Sequence, residues 1–275
     1  MLSFLPTPIG NLDDLSFRAL EKLREAEIFF CEDTRVTKKL LFLLQSRFDV
    51  RFCESARFIA MHSHNERMLV ESLNSALLAK RCVYVSDAGM PCVSDPGAAL
   101  VAFCVEHSVD YEVLPGANAA ITAFAASGIE SAGFLFHGFL PHKSLERKGV
   151  LTKLLQSETA VIIYESPRRI TGFARLLREL EPDRRLFAVK ELTKLYEKRF
   201  FGTAEQFAVT LDQLNLKGEW TIVIDRRQRA KRDQNEWLIE ELLKLDAPVK
   251  PLSKILSRLT DERASLWYER LKPPQ

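Results

Sequence analysis

The sequence predicts an α/β protein with two sheets and a small helical appendage at its carboxyl end. Through the first 225 residues, short apolar runs typical of strands alternate with amphipathic segments typical of helices. This alternation favours parallel sheets with helices on their faces. One predicted strand runs directly into a Pro-Gly turn at residues 114–116, where we place a boundary between two α/β domains. After residue 225 only helical periodicity continues.

The predicted strands are apolar stretches of four or five residues. They are Leu2–Leu5, Ile28–Cys31, Cys82–Val85, Tyr111–Leu114, Phe134–His137, Ala160–Tyr164, Leu186–Lys190, Lys198–Phe201 and Trp220–Ile224. The main helices between them are Leu15–Glu25, Thr37–Gln45, Glu66–Leu78, Ala98–Glu106, Ala119–Ala126, Arg169–Leu180 and Ala204–Leu214. Because the alternation loosens near the end, the last two strands are expected to form an antiparallel edge pair.

Three domains follow from this order of elements. The first α/β domain covers residues 1–114 and the second covers residues 115–225. Residues 226–275 form a basic linker followed by three short helices that resemble a helix-turn-helix. These helices are Glu236–Leu245, Leu252–Leu259 and Glu262–Leu271.

Composition restricts the location and the cysteine chemistry of the chain. Its 47% hydrophobic and 28% charged residues are ordinary for a globular protein. No apolar run approaches the roughly 20 residues that span a bilayer, and the first residues lack the pattern of a signal peptide. Five cysteines without a C-x-x-C pair indicate free thiols, buried at Cys31, Cys82 and Cys104. We therefore expect a cytoplasmic protein.

Positive charge is concentrated near the carboxyl end. Residues 226–275 contain 12 Lys/Arg and 8 Asp/Glu, although the net charge of the whole chain is only +2. Most of the excess comes from one run, which holds Arg226, Arg227, Arg229, Lys231 and Arg232. Such a run is either a solvated linker or a segment that contacts phosphates.

The commonest nucleotide-binding signatures are absent from the sequence. It contains neither G-x-G-x-x-G nor G-x-x-x-x-G-K-[ST], which argues against a Rossmann dehydrogenase and a P-loop nucleotidase. The zinc motif H-E-x-x-H is also absent, and His62 and His64 are separated by a single residue. We predict no metal site.

Polar turns rich in Gly and Pro follow five of the predicted strands. Open α/β sheets bind ligands at the carboxyl ends of their strands. The longest turn runs from Ser86 to Gly97, and the others span residues 6–11, 32–35, 114–119 and 164–169. The turn at 114–119 opens a helix whose first amides we expect to be free for an anion. Five such turns predict one shared cleft between two sheets.

Eight short motifs, in order along nearly the whole chain, carry a family resemblance. They are P-T-P-I-G-N from Pro6, E-D-T-R from Glu32, H-N-E from His64, V-S-D-A-G-x-P-x-x-S-D-P-G from Val85, L-P-G from Leu114, G-F-L-P from Gly138, Y-E-S-P-x-R from Tyr164 and E-L-T-K from Glu191. The chain resembles the ribosomal RNA small subunit methyltransferase I family of the tetrapyrrole methylase-like superfamily. The resemblance implies a two-lobed tetrapyrrole methylase-like fold with a sheet in each lobe and the cofactor in the cleft.

The same resemblance implies an activity. A methyl group would pass from S-adenosyl-L-methionine to the ribose 2′-hydroxyl of a cytidine in the decoding region of small-subunit (16S) ribosomal RNA. The partners would be that RNA or the 30S subunit, and a second copy of the chain in a homodimer. Three segments depart from the usual family pattern: Met90 stands for Thr, Ala117-Asn118 for Pro-Ser, and Arg168 for His.

The resemblance also assigns cofactor-binding residues. Asp87 is the expected polar partner, Gly89 allows close backbone approach, and Tyr164 packs against adenine or ribose unless it is simply a core residue. The full predicted set is Pro8, Gly10, Asp87, Ala88, Gly89, Met90, Pro115, Gly116, Asn118, Ala119 and Tyr164.

A ribose hydroxyl is a poor nucleophile and benefits from a base or a charge partner. The predicted catalytic residues are Asp33, Arg35, Glu165, Glu191 and Lys194. For Asp33 and Arg35 the alternative is a helix N-cap with an exposed ion pair. Because proximity and desolvation also accelerate such a transfer, a dedicated base is not required.

Basic residues on the polar segments are predicted to contact RNA phosphates. Besides the run in the tail (Arg226, Arg227, Arg229, Lys231 and Arg232), they are Lys143, Arg147 and Lys148. A nucleotide within folded RNA has to be extruded to reach a cleft. Two alternatives stay open from the sequence: methylation of a tetrapyrrole, corrinoid or protein by the same fold, and a non-enzymatic, cofactor-binding RNA chaperone.

Overall fold

A computed structural model describes residues 1–73, 75–226, 236–245, 247–260 and 262–272. These residues divide into two units. The larger unit contains residues 1–155 and 159–225, and the smaller contains residues 156–158 together with the segment from residue 226. Both sheets lie in the larger unit, and the predicted domain boundary at residue 114 stays a prediction. No helix in the described ranges is long and apolar enough to cross a membrane.

The first sheet is wholly parallel. It contains β1 (Leu2–Leu5), β2 (Ile28–Cys31), β3 (Arg57–Ala60), β4 (Cys82–Val85) and β5 (Tyr111–Val113), in the order β3-β2-β4-β1-β5. Three of these strands have the predicted bounds. The predicted strands do not include β3, although residues 58–60 are apolar; the residues of this strand are half-buried or exposed. It is an edge strand, and only pairing with β2 defines it.

Five helices cover this sheet: α1 (Phe17–Glu25), α2 (Thr34–Phe48), α3 (Glu66–Glu71), α4 (Ser75–Leu78) and α5 (Ala98–Glu106). Alternate strand residues supply a core on each face. Phe4 and Phe30 pack with Leu100 on one face, and Phe29 packs with Leu44 on the other. The predicted helix Glu66–Leu78 is divided, since α3 ends where the Ser72 hydroxyl donates a hydrogen bond to the Leu69 carbonyl.

The second sheet is mixed, so the expectation of a parallel sheet is wrong for this half. Its strands are β6 (Phe134–Phe139), β7 (Ala160–Glu165), β8 (Arg185–Lys190), β9 (Lys198–Thr203) and β10 (Trp220–Ile224), in the order β6-β7-β10-β8-β9. Only β6 and β7 pair in parallel. The predicted edge pair of the last two strands is also wrong. All five residues of β10 are buried, because this strand lies between β7 and β8. The edge strands of the sheet are β6 and β9.

Helices α6 (Ala119–Ser127), α7 (Ser144–Leu154), α8 (Ile170–Leu180) and α9 (Ala204–Leu211) cover the second sheet. The smaller unit contains α10 (Glu236–Leu243), α11 (Val249–Leu259) and α12 (Ala264–Leu271), so the predicted C-terminal helices are present. Their core joins Ile239, Leu252, Leu256 and Trp267. The predicted RNA-contacting residues Arg227, Arg229, Lys231 and Arg232 lie outside the described residues.

Candidate active site

The carboxyl ends of strands from both sheets border a cavity of about 410 Å³. The turns that follow β1, β2, β4, β5 and β7 contribute to its walls, as the sequence predicts for a shared cleft. Eight of the predicted site residues line it: Asp87, Ala88, Gly89, Met90, Asn118, Ala119, Tyr164 and Glu165. The remaining predicted residues that the structure describes lie outside this lining.

Two short interactions fix the beginning of the long turn after β4. The backbone groups of Thr7 and Gly89 exchange hydrogen bonds of 2.9 and 3.0 Å, which ties this turn to the turn after β1. Gly89 has a φ of 87°, a conformation that residues with a Cβ rarely adopt. A Cβ at Gly89 would also stand 3.2 Å from the Ile9 side chain. Glycine is therefore required for the two turns to meet.

The far end of the same turn is held from α3. One carboxylate oxygen of Glu66 accepts hydrogen bonds from the backbone N–H groups of Gly97 and Ala99, at 2.7 and 2.9 Å. These amides begin α5 and have no partner within the helix. The H-N-E motif therefore serves the cleft indirectly, because Glu66 anchors one end of a turn that lines it.

Three carboxylates make one wall of the cavity acidic: Glu32, Asp87 and Asp95. Burial raises the pKa of Asp95 to about 6, and the neighbouring Glu32 adds to the shift. Burial likewise raises the pKa of Glu32 and that of Asp87. Asp87 also accepts a hydrogen bond of 3.1 Å from the Asp33 N–H. Across the described ranges no three His, Cys, Asp or Glu side chains are placed to hold a metal ion.

Asp33 and Arg35 form the helix N-cap and exposed ion pair that the sequence offers as the alternative to a catalytic role. Asp33 is the N-cap of α2, and its carboxylate accepts a hydrogen bond of 2.8 Å from the Arg35 N–H. It also pairs with the guanidinium of Arg35, whose side chain is 88% exposed. The hydrogen bond from that side chain lowers the pKa of Asp33 to about 2. Such a carboxylate is a weak proton acceptor, so the geometry favours helix capping over catalysis.

The start of α6 is occupied by protein groups. The Ala120 N–H donates to the Tyr164 hydroxyl at 3.1 Å, and the Ile121 N–H donates to the Asn118 side chain at 3.0 Å. The expectation that these first amides are free for an anion is therefore wrong at both positions. Tyr164 is half-buried and lines the cavity, so its ring is a wall and its hydroxyl holds α6 in place.

Glu165 also lines the cavity, but Arg169 neutralises it. The residue is 1% exposed, and its Oε1 lies 2.8 Å from Arg169 Nε. Arg169 Nη2 donates hydrogen bonds to Glu165 Oε2 at 3.0 Å and to the Leu140 carbonyl at 2.8 Å. This ion pair connects the turn after β7 to the turn after β6.

Glu191 and Lys194 form a cluster with Glu219, which lines the cavity. Lys194 Nζ lies 2.9 Å from a carboxylate oxygen of each glutamate. Burial opposes the charge on Lys194, but the hydrogen bonds to both glutamates outweigh it and raise its pKa. Glu191 and Thr193 have φ values of 55° and 65°, so the turn is strained. A Cβ at Gly10 would approach the Lys194 side chain to 2.5 Å.

The other predicted residues have structural surroundings. Gly116 packs against Pro6, since a Cβ there would lie 2.4 Å from the Pro6 ring. Pro8 is half-buried and Pro115 is exposed. Among the predicted RNA contacts, Lys143 is exposed and Lys148 pairs with Glu179 at 2.7 Å. Arg147 donates hydrogen bonds to the carbonyls of Pro141 and His142. Arg226 lies in the smaller unit.

Sequence reasoning missed several residues that line the cavity: Glu32, Ser94, Asp95, Phe139, Leu192, Glu219 and Trp220. Five of them stand inside the quoted motifs, Glu32 in E-D-T-R, Ser94 and Asp95 in the long turn, Phe139 in G-F-L-P and Leu192 in E-L-T-K. The motifs were the available signal. Which side chain of a turn faces a cavity depends on its backbone geometry, which the sequence does not display.

A family model described as tetrapyrrole (corrin/porphyrin) methylases matches residues 1–208. The chain belongs to the tetrapyrrole methylase family. Two similar relatives are named ribosomal RNA small subunit methyltransferase I. The Campylobacter fetus protein is 44% identical over 272 residues, 98% of this chain and 99% of its own. The Helicobacter pylori J99 protein is 41% identical over 284 residues, 98% and 97% of the two chains. The family predicted from the motifs is confirmed.

Solved structures confirm the tetrapyrrole methylase fold class. Cobalt precorrin-4 methyltransferase has a TM-score of 0.56 and 17% identity, over 82% of this chain and 94% of its own. Uroporphyrin-III C-methyltransferase of Thermus thermophilus, in complex with S-adenosylhomocysteine, has a TM-score of 0.53 and 18% identity, over 81% and 96%. At this identity they support the fold alone.

Proposed function

We propose that this protein is an S-adenosylmethionine-dependent methyltransferase that methylates the ribose 2′-hydroxyl of a cytidine in the decoding region of small-subunit ribosomal RNA. The observation that supports it best is the cavity between the sheets, acidic on one wall and aromatic on the other, in a chain 44% identical to a ribosomal RNA small subunit methyltransferase I. The RNA substrate makes the protein cytoplasmic, and we extend the proposal to a homodimer.

The residues of the cavity fit the cofactor. S-adenosylmethionine carries a sulfonium and an ammonium group and, when bound, supplies an electrophilic methyl group. The carboxylates of Glu32, Asp87 and Asp95 suit those cations. Gly89 and Ala88 offer backbone without bulk, and Met90 offers a soft thioether surface in place of the usual Thr. Its departure from the family pattern leaves the backbone groups of this turn in place.

Charge organises the acceptor side of the proposed site. We assign Lys194 to the stabilisation of negative charge at the reacting hydroxyl or at the phosphate of the same nucleotide. Glu191 and Glu219 hold the ammonium group of Lys194 in position. Glu165 acts through Arg169 by fixing two turns of the wall. Asp33 and Arg35 start α2 and support Asp87 through the Asp33 amide. Proximity then contributes most of the acceleration.

The experiment is direct. The full chain is incubated with methyl-labelled S-adenosylmethionine and with small ribosomal subunits from cells that lack this modification, and new 2′-O-methyl groups are mapped on the RNA. We expect label on a single cytidine. Label that enters a corrinoid, a porphyrinoid or a protein instead would favour the alternative substrates of the fold. Cofactor binding without any label would favour a chaperone.

The basic run tests the RNA part of the proposal separately. In the full chain, Arg226, Arg227, Arg229, Lys231 and Arg232 are replaced together by alanine. We expect weaker binding of ribosomal RNA with a shallower dependence of log K on log salt, since each lost phosphate contact removes roughly 0.7 from the slope on single strands. The Kd for S-adenosylhomocysteine should stay unchanged. An unaltered salt slope would make the run a solvated linker.

A further inference from the structure

Phe139 is an aromatic residue at the cavity that the proposed chemistry leaves without a role. It lines the cavity and is 58% exposed. The ring centroid of Phe139 lies 5.7 Å from that of Tyr164, which in turn lies 5.0 Å from that of Phe136. Exposure of a large apolar ring costs free energy in water. Its position beside two further rings makes a surface on which a planar group can stack.

An irregularity in β6 places this ring on the cavity side of the sheet. Phe136 pairs with Ile162, and Gly138 with Ile163, so residue 137 has no partner on β7. Successive strand residues face opposite sides, and the extra residue shifts Phe139 to the face of its partner Tyr164. Gly138 has a φ of 75°, which only glycine adopts readily. Without this bulge Phe139 would face the opposite side.

Two arginines hold the turn that directly follows Phe139. Arg147 donates hydrogen bonds to the carbonyls of Pro141 and His142, at 3.0 and 2.7 Å. Arg169 donates to the Leu140 carbonyl at 2.8 Å. Three consecutive carbonyls after Phe139 are thus fixed by guanidinium groups. Arg147 therefore positions the turn, and its contact with RNA phosphate stays a prediction.

Basic residues in the turns after β6 and β7 indicate what stacks on the ring. Lys143 follows Phe139 by four residues, and Arg168 lies in the neighbouring turn after β7. Both are exposed, and neither forms an ion pair with another residue in the described part of the chain. A nucleotide of RNA has a planar base and flanking phosphates, which such a ring and such cations match. S-adenosylmethionine has no phosphate, so the surroundings favour the RNA nucleotide over the adenine of the cofactor.

We propose that Phe139 is the stacking surface for the base of the extruded target nucleotide, placed by the bulge at Gly138 and fixed by Arg147 and Arg169. The proposal rests on the proposed function and names the part of the cavity that receives the substrate base. Stacking would hold the base on the aromatic wall while its ribose reaches the methyl donor. An unstacked base in RNA is commonly recognised in this way.

A binding experiment tests the proposal without any methyl transfer. A short single-stranded RNA carries the fluorescent base pyrrolocytosine at one position, and the full chain is saturated with S-adenosylhomocysteine. Stacking on Phe139 should quench the fluorescence with the wild-type protein. Phe139→Ala should remove the quenching, Phe139→Trp should restore it, and Phe42→Ala should retain it, since Phe42 is similarly exposed (67%) but lies outside the cavity lining. Absence of quenching with the wild type would overturn the proposal.

Turnover and cofactor affinity give the second readout. With small ribosomal subunits, Phe139→Ala should lower kcat/KM about tenfold or more, whereas the Kd for S-adenosylhomocysteine should change less than about twofold. An equal loss of cofactor affinity would place Phe139 in the adenine site and overturn the proposal, as would full turnover by Phe139→Ala. Absence of label with the wild type, despite quenching, would count against the proposed function alone.

Discussion

The two walls of the cavity are built by the same principle but carry opposite chemistry. Turns of the first, parallel sheet supply the carboxylates Glu32, Asp87 and Asp95, and burial raises the pKa of each. The ends of two strands of the second, mixed sheet supply the rings of Phe139 and Tyr164. The acidic wall suits a cationic methyl donor, and the aromatic wall, with exposed Lys143 and Arg168 in the turns after β6 and β7, suits a nucleotide.

The walls also differ in how they are held. Backbone pairing between Thr7 and Gly89 and a single carboxylate, that of Glu66, fix the long turn of the first sheet. The second wall depends on guanidinium groups that bind carbonyls and a buried carboxylate. Guanidinium side chains thus hold the second wall, whereas backbone pairing and one carboxylate hold the first, and substitution of these groups tests the comparison.

The largest effect is expected from the buried ion pair of the second wall. Arg169→Met leaves the 1% exposed Glu165 without a cation and should lower the free energy of unfolding by about 3 kcal/mol. Guanidinium chloride denaturation followed by circular dichroism measures it. The matched control is Arg35→Met, which removes the exposed partner of Asp33 and should leave the denaturation midpoint nearly unchanged. Equal losses would show that the two walls are held alike.

A smaller loss is expected from the bulge. Gly138→Ala forces an alanine to a φ of 75° and should cost about 1–2 kcal/mol. Space is not the cause, because the new Cβ would be 3.5 Å from the nearest side-chain atom, Ser94 Oγ. Thermal unfolding measures the cost, and Gly133→Ala, at a glycine with open surroundings, is the control. An unchanged Tm for Gly138→Ala would mean that the bulge does not depend on glycine at this position.

The acidic wall is expected to give a gain of stability. Because the pKa of Asp95 is raised from 3.8 to about 6, its ionisation in the folded state costs stability, fully above pH 6 and not at all below about 4. Asp95→Asn should therefore stabilise the protein by about 1 kcal/mol at pH 7.5, after solvent screening is allowed for, with the gain vanishing near pH 4. Denaturation midpoints across this range, with Asp183→Asn as an exposed control, decide it. A gain of stability that does not depend on pH would show that ionisation of Asp95 is not its cause.

The smallest effect concerns ligand charge. As pH falls from 7.5 to 5, protonation of Asp95 should weaken the binding of S-adenosylmethionine several-fold. The binding of S-adenosylhomocysteine, which has no sulfonium charge, should weaken much less. Calorimetric titration of both ligands measures the ratio of their Kd values. Asp95→Asn should remove most of this pH dependence. The same pH dependence for both ligands would show that the acidic wall does not contact the sulfonium.

Local sequence was sufficient for much of the fold. Strands such as Cys82–Val85 are continuous apolar runs that pack on both faces, and the turns after them must begin where the runs end. It also identified the family, because the motifs sit in those turns. The predicted strands omit β3, whose apolar residues 58–60 are half-buried or exposed, and they misplace β10, whose central position depends on pairing with β7 and β8.

By itself, then, the sequence determined the class of fold, the turns that form the cleft and the family. The tertiary structure decided which side chains in and beside those turns face the cavity. Asp95 and Phe139 face the cavity, whereas Asp33 caps a helix and Arg147 holds carbonyls. The physical reason is that strands and helices are indicated by the apolar periodicity of residues that are neighbours in the sequence. The direction of a side chain in a turn depends instead on bulges, positive φ angles and partners far away in the chain.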